Sequence, residues 1–403
     1  MSEWKKVKLK DCCHSISDGD HLPPPKSDSG VPFVTIANID ATNHIDFGNT
    51  MFVPYEYYNN LNDIRKAKFN DILYSVVGSF GKPVLIKENK PFAFQRHIAI
   101  LRPNKLIVDS RFLYYVMLSR DFYMQADTVA IGAAQRTISL TALRNMEVEL
   151  PSMEIQHRIA NILSRYDSLI ENYQKQIKLL EEAAQRLYKE WFVDLHFPGH
   201  ENTKIVDGVP EGWEKKKVKE VCDTTSGGTP SRSKTEFYTG DILWVKTKEL
   251  NDDFIFDTEE KITEDAIRNS SAKMVPSGSI LMAMYGATIG KLGIATKELS
   301  CNQACCVFLL PEDSTLRLYL YNWLLNSRTL LISMGKGAAQ PNLSQDMIKN
   351  LEVVVPSSCL LAKFDSKVKP LYRIMSYHSF QLRLLTEARD RLLPKLMSGA
   401  IEV

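Results

Sequence analysis

Several stretches of this 403-residue sequence carry residue types that could do chemistry, and none has the spacing its chemistry requires. GATIGKL at 286 to 292 resembles a phosphate loop, in which backbone N–H groups cradle phosphate, a lysine reaches its far end and a hydroxyl holds magnesium. It is one residue short, and Leu292 stands where the hydroxyl belongs. Cys301, Cys305 and Cys306 cluster in LSCNQACCVFLL, but neither a CxxC pair nor a nearby histidine completes a tetrahedral zinc set, and the apolar continuation reads as a buried strand. LPPPK at 22 to 26 lacks the acid and the aromatic of an amino-methyltransferase motif, and no GxGxxG follows a strand, so no bound methyl donor is expected. An isolated acid-x-Lys triplet such as Glu88 to Lys90 arises by chance. The residues therefore point to a binding protein, with no catalytic residue, metal or cofactor predicted.

Other side chains are of the types that reach phosphates or pair with base edges. They are Lys82, Gln95 and Arg96 in the first half, and Thr229, Ser231, Arg232, Lys246, Lys248, Lys291, Asn302 and Gln303 in the second. Each alone is compatible with a solvated surface. As a set on matching loops they favour DNA reading. With 50 basic and 48 acidic side chains the net charge is only +2, so nucleic-acid binding has to come from local patches. The odd count of seven cysteines and the absence of a charged-then-apolar leader predict a reducing, cytoplasmic setting. No apolar run is long enough to span a bilayer, and no membrane partner is expected.

What positions these residues is a scaffold written twice. Residues 132 to 152 laid over 337 to 357 give ten identities in twenty-one positions, beginning with GAAQ in each. The eight histidines do not recur at equivalent places, whereas a duplicated active site would repeat its base. Upstream, DILYSVVGSFGK at 71 to 82 answers SILMAMYGATIGK at 279 to 291, and WKKVKLKDCC from Trp4 answers WEKKKVKEVC from Trp213. The chain is thus two copies of one unit, a repeat that has to be seen before any fold is assigned.

Each copy divides into a mixed part and a long helix. In the first helix Ile155, Ile159, Ile162, Tyr166, Leu169, Tyr173, Gln176, Leu180, Ala183 and Leu187 step by four and three, the seam of a coiled coil. Adding 205 to each position gives the second seam, from Leu360 to Leu392, with Gln381 answering Gln176, and with Val368 and Leu382 placed to lean in instead where the seam is polar at Lys367 and His378. The matched seams predict that the two helices pair, with the glutamines fixing register; the alternative is that each packs on its own domain. HFPGH closes the first helix and Pro394 the second. The mixed parts combine β-rich runs such as PFVTIANI and ILWVKTKEL with one amphipathic helix, capped by Asp109 or Ser110 and by Asp313 to Thr315. The predicted fold is α+β: two tandem domains, 1–150 and 199–356 with its leading linker, alternating with helical regions 151–198 and 357–403.

The combination of SGGTPSR through YTGDILWVKTKEL, SSAKMVPSGSILMAMYGATIGKLGIA, NQA at 302 to 304, the twin GAAQ phrases and RLYKEWF resembles the specificity subunit of type I restriction-modification systems along essentially the whole chain. The resemblance implies two target-recognition domains, each reading half of a split double-stranded DNA target, and helices packed as an antiparallel coiled coil that sets the spacer. About 35 residues per helix give a rod of roughly 50 Å, or about one to one and a half turns of duplex. It implies no catalysis by this chain and, as partners, two modification subunits, with restriction subunits in the full complex. Ile170, Ile177, Trp191 and Phe192 are the expected docking flanks, and Gly132 and Gly337 end each recognition domain, with Gln135 and Gln340 capping backbone or touching DNA. In the first domain DGDHLPPPKSDSG replaces the Gly-Gly-Thr-Pro phrase, and Arg136 replaces the proline after GAAQ.

Overall fold

The computed structural model describes residues 4–21, 23–40, 42–133, 135–311, 313–335 and 342–403. The chain divides into two compact units, residues 1–170 with 385–403, and residues 171–384. Each unit thus holds one mixed α+β part and a stretch of both long helices. Boundaries drawn along the sequence at 150, 198 and 356 treated the helices as separate regions. Packing assigns them otherwise, because neither helix can bury its apolar stripe without a domain against it.

The two mixed parts share one topology. In the first unit Cys13–Asp18, Ile98–Pro103, Ile72–Ser75 and Pro83–Leu85 lie side by side in that order, antiparallel throughout. In the second, Asp223–Ser226, Cys305–Leu309, Ile280–Ala283 and Leu292–Ala295 repeat the order, and Asp253–Ile255 adds a parallel fifth strand. A smaller sheet pairs Val31–Val34 antiparallel with Met51–Val53 and parallel with Ala93–Phe94; Ile242–Val245 does the same with Lys261–Ile262 and Ser300–Cys301. The opening strands, Lys5–Lys8 and Glu214–Lys217, pair antiparallel with Glu147–Leu150 and Glu352–Val355, the strands that lead into the long helices. The duplication read from sequence is thus a duplication of register.

Each part holds two consecutive helices where one was predicted, Ser110–Leu118 then Arg120–Val129, and Leu316–Asn326 then Arg328–Gly335. Asp109 caps the first as expected, accepting from the backbone N–H groups of Arg111 and Phe112. Ser119 sits between the first pair in extended conformation and caps the second helix, which is why the run breaks there. The linker contains a hairpin, Ile205–Val206 with Val209–Pro210, whose turn residues Asp207 and Gly208 both adopt positive φ as a two-residue turn demands.

The first long helix runs over Met153–Tyr188 and the second over Ser358–Met397. Pro394 does not end the second helix. A proline in the last turn forfeits one hydrogen bond, and here Leu396, 1 % exposed, anchors the following residues in the core of the first unit. In that unit the carboxylate of Asp167 faces Arg389 at 3.0 Å, while Ile159 and Leu163 share a core with Leu392 and Leu396. In the second unit the Tyr173 ring meets His378 and the Tyr188 ring meets Phe364. Numbers rise on one helix as they fall on the other, so the pairing is antiparallel in each unit.

At two positions the buried residue lies one past the predicted seam, whereas Ile159, Leu360 and Phe364 of that seam are themselves buried and Tyr173 meets His378. Leu169 is 46 % exposed and Ile170 6 %; Ile374 is 43 % exposed and Met375 5 %. Both helices carry apolar residues at adjacent positions, among them Leu169–Ile170, Ala183–Ala184 and Leu360–Leu361, so two neighbouring stripes have the same period. The domain that presses on the helix selects one of them. Gln176 is not part of a buried pair, since its amide donates to Asn172 on its own helix. The buried glutamine is Gln156, which accepts from the N–H of Asp109 and donates to the Ile107 and Pro151 carbonyls.

This register makes a direct test. Met375→Asp places a charge in a core and is expected to cost several kcal/mol, whereas Ile374→Asp, one residue away, is expected to change stability by about 0.5 kcal/mol or less. Thermal unfolding of both full-length variants checks it; equal losses would restore the predicted seam.

Candidate nucleic-acid interface

In the second unit the recognition side chains gather where Asp223–Ser226 ends, beside the crossing to Ser300–Cys301. A Cβ on Gly227 would lie 1.9 Å from the Cys301 carbonyl oxygen, and one on Gly228 would lie 2.3 Å from the Ser271 backbone. Only glycine fits. The Gly228 N–H donates to the Cys301 carbonyl, the Trp244 indole N–H to the Gly228 carbonyl, and the Tyr238 hydroxyl to the Pro230 carbonyl. The loop from 227 to 232 is thereby fixed by its own backbone, and its side chains are left to project.

Arg232 is exposed and stacks over the rings of Tyr238 at 4.3 Å and Trp244 at 5.2 Å. Its guanidinium also pairs with Glu260 at 2.7 Å. Lys246, immediately after Ile242–Val245, bonds Glu259 at 2.8 Å and Glu260 at 3.0 Å, and Lys248 bonds Glu259 at 2.5 Å. These lysines hold the exposed Glu259 carboxyl down at about 2. Its folded value lies below its ordinary one, so the ion pairs are complete above the usual carboxylate range and are lost only as pH falls toward 2. Thr229 donates to Gln303. Arg232, Lys246, Lys248, Thr229 and Gln303 therefore share one face. Ser231 bonds Ser233 beside them, and the Asn302 side chain turns inward to accept from the Ala304 N–H.

Lys291 lies apart. Its amine bonds Asp252 at 2.7 Å, alongside Arg328, which also pairs with Asp252. The Glu181 carboxyl on the first long helix is near enough to feel all three, and burial pushes it up. The lysine after the glycine turn is held by Asp252 within its own part.

The first unit builds the same crossing with other residues. A Cβ on Gly19 would lie 2.1 Å from the Phe94 carbonyl oxygen, so Gly19 occupies the place of Gly227 despite the altered phrase. Asp20 bridges to Gln95, whose N–H donates to Val34, and the Arg96 N–H donates to Asp20. Around them Tyr57 donates to Asp20 at 2.7 Å, Arg65 pairs with Asp20 at 3.5 Å, and His21 lies 2.9 Å from Asp18. Gln95 is half-buried and Arg96 exposed. Lys82 is half-buried on the glycine turn, its backbone bonded to Ser75. Tyr57, Arg65, Tyr238, Trp244, Glu259 and Glu260 belong to these faces and were not singled out from sequence. Interleaved aromatics and acids near ILWVKTKEL were the available signal.

The flanks expected to dock partners are mostly buried inside the chain. Ile170 and Trp191 are buried, and Phe192 packs against Trp213, Tyr319 and Phe364. Ile177 and Phe192 are left partly open. Ile170 and Trp191 face inward because they lie on the stripe the domains selected. The large apolar residues of the long helices left exposed are Leu169 in the first unit and Leu179, Ile374, Tyr377, Phe380 and Leu384 in the second, Phe380 against the Phe256 ring.

On either side of the first GAAQ phrase Ile131 and Thr137 exchange backbone bonds, and Gly132 stands at φ 105°. Backbone closes this turn, so Gln135 is not needed as its cap; the Gln135 amide lies over Gly78 instead. Gly337 and Gln340 lie outside the described residues.

Among the described residues no group of three His, Cys, Asp or Glu side chains could hold a metal, and no helix is long and apolar enough to cross a membrane. Residues 1–182 and 210–358 match the family model of the type I restriction modification DNA specificity domain. The chain is 28 % identical over 305 residues to the type I restriction enzyme MjaIX specificity subunit of Methanocaldococcus jannaschii, covering 73 % of this chain and 70 % of that one. It is 25 % identical to the HindI specificity subunit of Haemophilus influenzae over the full length of both. The fold matches the crystal structure of a type I restriction-modification S subunit from M. genitalium, with a TM-score of 0.66, 18 % identity and 98 % and 96 % of the two chains covered. A scaffold duplicated strand for strand, filled with different side chains at its two crossings and matched by this family model in both copies, belongs to the type I restriction-modification DNA specificity family.

Proposed function

We propose that the chain reads double-stranded DNA with two faces, one per copy, and leaves methylation and cleavage to separate subunits. The observation that carries this reading is the pair of glycine crossings, Gly19 on Phe94 and Gly227 on Cys301, which present unlike side chains at equivalent places of one scaffold. Two different readers on a repeated frame suit a target of two unlike halves. In the second unit Arg232, Lys246, Lys248, Thr229 and Gln303 carry the reading; in the first, Gln95 and Arg96 do, with Lys82 on the neighbouring turn.

The carboxylates give this face its selectivity. Glu259 and Glu260 already satisfy the lysines and Arg232, which weakens attraction to any phosphate backbone that happens to approach. A guanidinium has five donors, so Arg232 can keep Glu260 and still present a fork to a guanine edge. Arg232→Ala is expected to cost about 1–3 kcal/mol of binding to the full target and to relax selection at one base pair. A uniform loss across sequences with a shallower salt slope would make it a phosphate contact.

Exchange of residues 213–356 for another recognition domain, with adenine methylation read by sequencing in cells carrying the modification subunit, is expected to change only one half of the methylated motif. Methylation that ignores the exchange refutes the reading.

Two modification subunits, with restriction subunits in the full complex, are the proposed partners. Their docking surface is the exposed apolar stripe Leu179, Ile374, Tyr377 and Leu384 rather than the flanks predicted from sequence. Ile374→Asp, chosen above as neutral to the fold, is expected to lose co-purification with the modification subunit. Unchanged recovery would move the interface elsewhere.

A further inference from the structure

We propose that the second unit holds a binding site for a small organic phosphate, in a cavity of about 410 Å³ between the second long helix and the recognition part. One wall is the helix face bearing Asp365, Lys369 and Arg373, spaced by four. The opposite wall is the turn at Ser277 and Gly278 and the start of the helix Leu316–Asn326, with Ser314 and Arg317. Three cations and one carboxylate thus line one cavity. Burial pushes the Asp365 carboxyl up, against the pull of Lys369, Arg317 and Arg373, which places all three cations within electrostatic range of the same point.

Two further observations favour an anion. The first turn of an 11-residue helix lines the cavity and adds its N-terminal partial positive charge. Gly278, whose φ of 78° favours glycine, brings the turn close to the Arg317 guanidinium, which lies 2.7 Å from where its Cβ would stand. Arg317 is steadied by donating to the Pro311 carbonyl at 2.7 Å. Phe254, Ile294 and Leu318 supply apolar wall. The volume falls within the roughly 300–1,000 Å³ of small-molecule sites and exceeds what a bare phosphate fills, which is why an organic remainder is assigned.

The repeat supplies an internal control. At the offset of 205 that aligns the long helices, Ala160, Ser164 and Ser168 stand where the second copy has Asp365, Lys369 and Arg373. Ala160 is fully buried in the first unit, packed directly against its domain. The charges are particular to one copy, so they serve neither the shared fold nor a contact made twice.

Isothermal titration of the full-length chain with adenosine 5′-monophosphate, glucose 6-phosphate, inorganic phosphate and adenosine tests the site. At least one phosphate ester is expected to bind saturably at one per chain and to raise the unfolding temperature, while adenosine gives no heat. Lys369→Met and Arg373→Met, both at solvent-reaching side chains, are each expected to weaken binding at least tenfold with the ligand-free unfolding temperature unchanged, which separates lost binding from lost fold. Silence of both esters, or equal binding by both variants, overturns the proposal. Tighter binding of inorganic phosphate than of either ester, or displacement of the ester by a non-target duplex, overturns the organic, small-molecule assignment and gives the cavity to free phosphate or to a DNA backbone.

Discussion

Burial of one stripe per long helix against two separate cores is the constraint from which the rest follows. Ile159, Ala160 and Leu163 belong to the core of the first unit; Ala184, Tyr188 and Trp191, further along the same helix, belong to the second. The second helix divides likewise, with Phe364, Val368 and Met375 in one core and Leu396 in the other. The core that begins at Leu9 is therefore completed only by the last turn of a helix nearly four hundred residues later. A helix with such obligations cannot slide or rotate without opening a core, which accounts for the selection of a single seam.

Polar ties reinforce that choice where apolar packing is indifferent. Asp167 accepts from Tyr115 at 2.6 Å and from Arg389 at 3.0 Å, joining the recognition part and both helices within the first unit. In the second unit Ser379 donates to Asp253 and Arg383 pairs with Asp257. Such half-exposed contacts add little net stability. Their contribution is to specify one register among near-equals. Lys291 is engaged by Asp252 inside its own part, although its sequence position after a glycine turn made it look like a phosphate ligand.

The recognition faces follow another logic. Their loops are fixed by backbone contacts at glycines, so the side chains above them are free to differ between the copies without disturbing a strand. Cations on the second face are matched by Glu259 and Glu260, in keeping with a chain whose net charge is small. Arg232 stands among these pairs, held over the rings of Tyr238 and Trp244.

Repetition, fold class, the β-rich runs and the existence of two paired helices were legible in the sequence, because they depend on periodicity and on identities that survive duplication. The second face was legible in part: Arg232, Lys246 and Lys248 were singled out, whereas Trp244, Glu259 and Glu260 were not, since their places beside these cations depend on strands distant in sequence. Gly19 was hidden because its neighbours had changed, and only the approach of the Phe94 carbonyl shows that a glycine is required. The choice between Leu169 and Ile170, or Ile374 and Met375, lay beyond any sequence pattern. Both stripes share the period of a helix, and a period states how often a residue recurs on one side, not which side meets a core; the domains packed against the helices made that choice.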